Sequence, residues 1–159
     1  MITDKDIHYL EEAVQLALTG VKQGAGGPFG CIIVKDDHIV GKGYNQVTSH
    51  NDPTAHAEVV AIRDACKHLN SYQLTGCTLY TSCEPCPMCL GAIYWARPDR
   101  VLYATTRFTA ADAGFDDKFI YDEIPLSNEA RKIPFVFYQE KQFLEPFQYW
   151  KQQNEKKLY

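Results

Sequence analysis

At 159 residues the chain fits one domain, 1–159, and a chain of this size buries roughly 68–70% of its unfolded surface, so its core needs no disulfide staples. The formal net charge of -4 argues against nucleic acid as a partner, because binding a polyanion normally needs a basic patch. No run approaches the roughly 18 consecutive apolar residues of a membrane helix. The acidic, polar start Met1-Ile2-Thr3-Asp4-Lys5-Asp6 lacks a signal-peptide profile, so a cytoplasmic protein without membrane partners is expected.

From Asp4 to about Gly24, Ile7, Leu10, Ala13, Val14, Ala17, Leu18 and Val21 recur at spacings of three and four, which predicts an amphipathic helix ended by Gly24, Gly26 and Gly27. Phe29 to Lys35 is nearly continuously apolar. With Asp36-Asp37 as a tight connection into His38 to Tyr44, it reads as a β-hairpin. Asn45 to Asn51 is polar loop, and Asp52 to about Leu69 reads as a second helix with Asp52 as cap and Pro53 in the first turn. Thr78 to Ser82, Pro87 to Ala96 and Arg100 to Ala104 follow as strand, helix and strand, an order that implies parallel neighbours joined by a right-handed crossover. Phe135 to Tyr138 is expected to be a last strand, and a polar-aromatic helix is expected from about Pro146 onward. The fold class is then α/β, a three-layer αβα sandwich around a mixed sheet of about five strands.

The chemistry concentrates in Thr54-Ala55-His56-Ala57-Glu58 and Ser82-Cys83-Glu84-Pro85-Cys86-Pro87-Met88-Cys89. Proline is favoured at the first position of a helix, so Cys86 is the expected cap, and Cys89, three residues on, shares its side of the helix. His56, Cys86 and Cys89 supply three zinc ligands and leave a fourth position for water, which is the catalytic pattern. His56 and Glu58 would face apart in mid-helix, at ~100° per residue, so both can serve one ion only at a helix end. Glu58 is then left as a free base beside the metal. The competing reading is a closed site with Cys83 as fourth ligand. Cys31, Cys66 and Cys77 read as small buried hydrophobes in a reducing compartment.

His56-x-Glu58 followed by Pro85-Cys86-x-x-Cys89 matches the signature of the zinc nucleobase deaminases. With Gly26-Gly27-Pro28-Phe29-Gly30, the stretch Asn51 to Glu58, Ser82 to Trp95, Ala113-Gly114-Phe115-Asp116-Asp117 and the closing Tyr159, the chain resembles the guanine deaminases of the cytidine-deaminase-like superfamily nearly end to end. The resemblance implies one Zn²⁺ per subunit and hydrolysis of guanine at C2 to xanthine and ammonia. Glu58 would carry the proton from water to N3 of the ring, and Asp117 would help protonate the leaving amine. For Asp117 the residues alone favour a turn and helix cap. The same resemblance points to Asn45, Phe29, Trp95, the Ala57 N–H and Tyr159 as substrate contacts. It further implies a homodimer whose C-terminal segment, about 146–159, crosses to the partner subunit.

A tRNA adenosine deaminase shares the zinc signature, but Lys141, Lys151, Lys156 and Lys157 are interspersed with Glu140, Glu145 and Glu155 and form no basic stripe. A deaminase of cytosine or another aminated heterocycle also fits the motif. A zinc-stabilised binding module is the alternative outside enzymes, and the free carboxylate of Glu58 speaks against it.

Overall fold

The computed structural model describes residues 2–159, in two compact units, one running to Asp117 and the other from Lys118 to Tyr159. In the first unit α1 (Asp4–Lys22) precedes the hairpin β1 (Gly30–Lys35) and β2 (His38–Tyr44). A one-turn helix α2 (Val47–His50) and α3 (Ala57–Leu69) lead to β3 (Cys77–Cys83), α4 (Pro87–Ala96), β4 (Arg100–Thr105) and α5 (Arg107–Asp112). The sheet has the order β2-β1-β3-β4, with β1 antiparallel to both neighbours and β3 parallel to β4 across the α4 crossover.

The hairpin turns through Asp36 and Asp37, whose φ angles of 49° and 62° are the left-handed pair that a two-residue turn requires. Strand side chains alternate between faces. Ile32, Val34, Tyr80 and Leu102 pack with Ala13 of α1 on one face, while Cys31, Ile33, Cys77 and Leu79 pack with Ala57, Ala61 and Ala65 of α3 and Ile93 of α4 on the other. Three layers result, as the sequence implies.

Small residues let these layers close. Ala57, Ala61 and Ala65 form a fully buried stripe at four-residue spacing. A Cβ on Gly43 would stand 2.6 Å from the Ala57 carbonyl oxygen, and one on Gly41 would stand 2.6 Å from that of Ala61. Helix α3, which carries the metal-site residues at its start, is thereby seated directly on β2. On the other face Asp6, 3% exposed, closes a capping box with Thr3, accepts from the Tyr80 hydroxyl at 2.8 Å and pairs with Arg100 at 3.2 Å. These contacts tie the start of α1 to β3 and β4. Hydrogen bonds from Thr3 and Tyr80 hold the Asp6 carboxyl far below the usual range.

The second unit contains α6 (Lys118–Glu123), two 3₁₀ turns and α7 (Glu145–Gln152). The expected strand at Phe135–Tyr138 does not form: the segment makes no ladder, and its side chains are 52–88% exposed. The sheet therefore has four strands rather than about five. A strand needs a neighbour to satisfy its N–H and C=O groups, and among the described residues no segment pairs with this one. The expected helix start at Asp52 is also corrected. Asp52 instead accepts from the N–H and hydroxyl of Thr54 at 2.8 and 2.7 Å, closing a turn, and the helix begins at Ala57.

Candidate active site

Two helix starts converge on one point. His56 is the N-cap of α3 and Cys86 the N-cap of α4, with Pro87 opening the first turn of α4 and Cys89 one turn along. Neither residue is assigned the usual side-chain capping bond of its helix. His56 Nδ1 lies 3.6 Å from Cys86 Sγ and 3.5 Å from Cys89 Sγ. A tetrahedral zinc about 2.3 Å from sulfur and 2.0–2.1 Å from nitrogen sets the S···N separation at roughly 3.5–3.6 Å. Both S···N separations match that geometry, and His56, Cys86 and Cys89 are positioned to hold the ion.

Cys83 is not part of this cluster; its thiol faces the Thr106 carbonyl oxygen at 3.5 Å. The closed four-ligand alternative is thus overturned, and the donor set keeps the open form of a catalytic zinc site. The paired helix N-termini favour negative charge here. The Cys86 thiol is pushed down to about 4, first by a hydrogen bond from Cys89 and then by His56, against the opposing effect of burial. The same shared proton pushes Cys89 up, and hydrogen bonding to Cys86 raises His56.

Glu58, in the first turn of α3, is 5% exposed. Because His56 is extended at the cap (ψ 153°), the two side chains escape the divergence of residues two apart within a helix. Glu58 Oε2 comes within 3.4 Å of Cys89 Sγ, while Thr81 donates to Oε1 at 3.3 Å. Burial pushes the Glu58 carboxyl up, as suits a group that must pick up a proton. Asp117 is half-buried; burial raises its carboxyl, and the negative charge of Cys86 raises it further. Both carboxyls hold their protons more tightly than usual, a property that two proton transfers in a hydrolysis would call for.

The remaining sequence candidates divide. Phe29 stacks edge-on against Phe115, centroids 5.1 Å apart at 87°, and packs partly on the core. Asn45, 5% exposed, accepts from the Gly27 and Val47 N–H groups at 3.2 Å each, and the next residue, Gln46, bonds Ala55 beside the His56 segment. Ala57 is fully buried at the first position of α3, where its N–H has no acceptor within the helix. Trp95, 62% exposed, lies with Leu90 and Tyr94 on the outer face of α4, away from the buried face that bears Cys89. Tyr159 ends the second unit and is exposed. Two contributors escape a reading of the sequence alone. Thr81 is a polar residue pointing inward from a buried strand, and Phe115 pairs with Phe29 across Gly27.

The model of the cytidine and deoxycytidylate deaminase zinc-binding region matches residues 3–105, the stretch that holds all three ligands and Glu58. The chain belongs to the zinc-dependent cytidine and deoxycytidylate deaminase family. Within it, the chain is 60% identical over 151 residues to the guanine deaminase of Bacillus subtilis strain 168, covering 95% of this chain and 97% of that one. The crystal structure of a Bacillus subtilis guanine deaminase superposes with a TM-score of 0.94 at 57% identity over 99% of both chains. The tRNA-specific adenosine deaminase of Aquifex aeolicus is 41% identical over 97 residues, 61% of this chain and 64% of that protein. Guanine deaminase from Nitrosomonas europaea superposes with a TM-score of 0.67 at 26% identity, over 74% of this chain and 66% of that one.

Proposed function

We propose that this chain is a zinc-dependent guanine deaminase that hydrolyses guanine to xanthine and ammonia, a degradative step acting on a free purine base. The observation that carries the reading is the reach of the likeness. The 60% identity to a guanine deaminase spans 95% of the chain and so continues well past Thr105, where the shared zinc region ends. The likeness to the tRNA deaminase covers 61% of the chain.

Held by His56, Cys86 and Cys89, the zinc ion would acidify a water molecule and so supply the nucleophile. Glu58 takes the proton released from that water and delivers it to N3 of the base as C2 becomes tetrahedral. Glu58 and Asp117 then protonate the departing amine, so that water and guanine leave as xanthine and ammonia. Burial raises both carboxyls, which favours groups that must give a proton back. Phe29 provides a wall for the ring, and Asn45 and the Ala57 N–H provide donors.

The second unit supports a further part of the reading, a homodimer in which residues from about 146 to 159 cross to the other subunit and Tyr159 closes its site. Phe147, Tyr149, Leu158 and Tyr159 are each 68–76% exposed, and Phe135 to Tyr138 lie open as well. Apolar surface this dense normally marks an interaction face. None of the six cysteines is in a disulfide, in keeping with a reducing cytoplasm. No helix among the described residues is long and apolar enough to cross a membrane.

The test is ammonia release by the zinc-loaded protein from guanine, adenine, cytosine and a tRNA anticodon stem-loop. Release from guanine alone is expected. Release from the stem-loop would make the protein an RNA editor, and silence on all four would remove the proposal.

A further inference from the structure

Asn45 does two things that need different ends of its amide. Its Oδ1 accepts from both the Gly27 and the Val47 N–H at 3.2 Å. Backbone N–H groups only donate, so the oxygen must face them and the amide cannot be flipped. Turn chemistry of this kind needs only the oxygen, and an aspartate would supply it equally. What asparagine adds is the NH₂. That group makes no bond to the protein among the described residues, yet no fully buried side-chain nitrogen or oxygen lacks a partner. The NH₂ is therefore not fully buried, and the bonds from the Asn45 N–H to the Phe29 carbonyl and from the Gln46 N–H to the Ala55 carbonyl place the residue beside Phe29 and the segment that leads into His56.

Gly26 makes room for this arrangement. A Cβ on Gly26 would fall 2.2 Å from Asn45 Oδ1 and 2.8 Å from the Asn45 carbonyl oxygen, so any side chain there must displace the amide. Gly26 is not among the glycines with positive φ, so the position needs a glycine for space and not for backbone conformation.

We infer that Gly26 is a specificity-determining positioning residue: by leaving space for the Asn45 carbonyl, it locks the amide with only its NH₂ toward the substrate, selecting purines that present two adjacent acceptors. The 6-oxopurine edge offers O6 and N7, both acceptors. The adenine edge offers the N7 acceptor beside the N6 amine donor, which a free amide reads with its oxygen and nitrogen together. A locked amide cannot supply that oxygen, and its NH₂ would confront the adenine amine. This inference rests on the guanine reading above and adds to it the reason that adenine is refused.

The experiment measures inhibition of guanine turnover by hypoxanthine and by adenine in wild type, Gly26→Ala, Asn45→Ala and the double variant, with zinc content and kcat as controls. Wild type is expected to prefer hypoxanthine by about tenfold to a hundredfold, the range of one good bidentate contact. Gly26→Ala should raise KM for guanine and shrink that preference to about twofold while kcat and bound zinc stay near wild type. It should add nothing further in the Asn45→Ala background, because it acts through Asn45. If Gly26→Ala does not fold, Asn45→Asp serves instead. It keeps both backbone bonds but presents an acceptor, and should lose the hypoxanthine preference with Tm and zinc retained. An unchanged preference in Gly26→Ala or Asn45→Asp, or equal losses in both backgrounds, overturns the inference. Wild type inert toward guanine overturns the guanine reading itself.

Discussion

The Thr81 hydroxyl, 1% exposed on β3, stands 3.3 Å from Glu58 Oε1 and 3.5 Å from the Gly30 carbonyl oxygen, and it has a single proton to give. Donated to Glu58, that proton fixes the carboxylate over the metal position and leaves Oε2 facing Cys89. Thr81→Val keeps the shape and removes the hydroxyl. A hydrogen bond to a charged group contributes about 1.5–3 kcal/mol. Turnover in Thr81→Val should therefore fall by about tenfold to a hundredfold, with KM and bound zinc little changed. Steady-state kinetics beside metal analysis checks this.

Gly43→Ala tests how α3 is seated. Its Cβ would meet the Ala57 carbonyl oxygen at 2.6 Å and the Ala61 nitrogen at 2.7 Å, both rigid backbone. The helix start that follows His56 must then move. Overpacking of this kind costs about 1–3 kcal/mol, so a lower Tm is expected together with weaker zinc retention in a chelator titration. A lower Tm with wild-type zinc affinity would separate the packing from the site.

The cluster around Asp6 predicts how stability varies with pH. Its carboxyl is depressed in the folded state, first by Thr3 and then by Tyr80, so its contribution is present above the unfolded value of about 3.9 and is lost as pH falls through the folded one. Tyr80 is pushed up to about 12, first by burial and then by Asp6, so its contribution is lost as pH rises from about 10 toward that value. Asp6→Asn should melt below wild type at pH 7, and the gap should close as the pH drops below about 4. Thermal melts across pH measure both limbs.

Truncation after Gln152 removes Tyr159 and the segment proposed to cross between subunits. Loss of the dimer in light scattering, or a raised KM for guanine with kcat retained, is expected. A truncated chain with full affinity for guanine would rule out a role for Tyr159 in the site.

The metal centre was legible in the sequence because its geometry is local. Pro87 fixes where α4 starts, which fixes Cys86 as cap and Cys89 one turn along. The hairpin was legible for the same reason, through Asp36-Asp37. The start of α3 was not, since Asp52 and Pro53 carry the signals of a helix start while Asp52 closes a turn onto Thr54. The strand expected at Phe135–Tyr138 shows the opposite limit. An apolar run describes a segment, whereas a strand is a property of a pair, and this run pairs with no described segment of its own chain. The short helices α5 and α6, six residues each, leave too small a window for periodicity. Thr81 and Gly26 matter through contacts that folding alone creates, with Glu58 and Asn45.

The most direct measurement of the account is xanthine formation from guanine by wild type and Glu58→Gln, each with its zinc content determined. Wild type with one zinc per chain should form xanthine, and Glu58→Gln should retain the zinc while losing about a hundredfold or more of the rate. A Glu58→Gln protein that holds zinc and turns over guanine at the wild-type rate would contradict the assignment of Glu58 as the proton carrier, and with it the chemistry argued for this site.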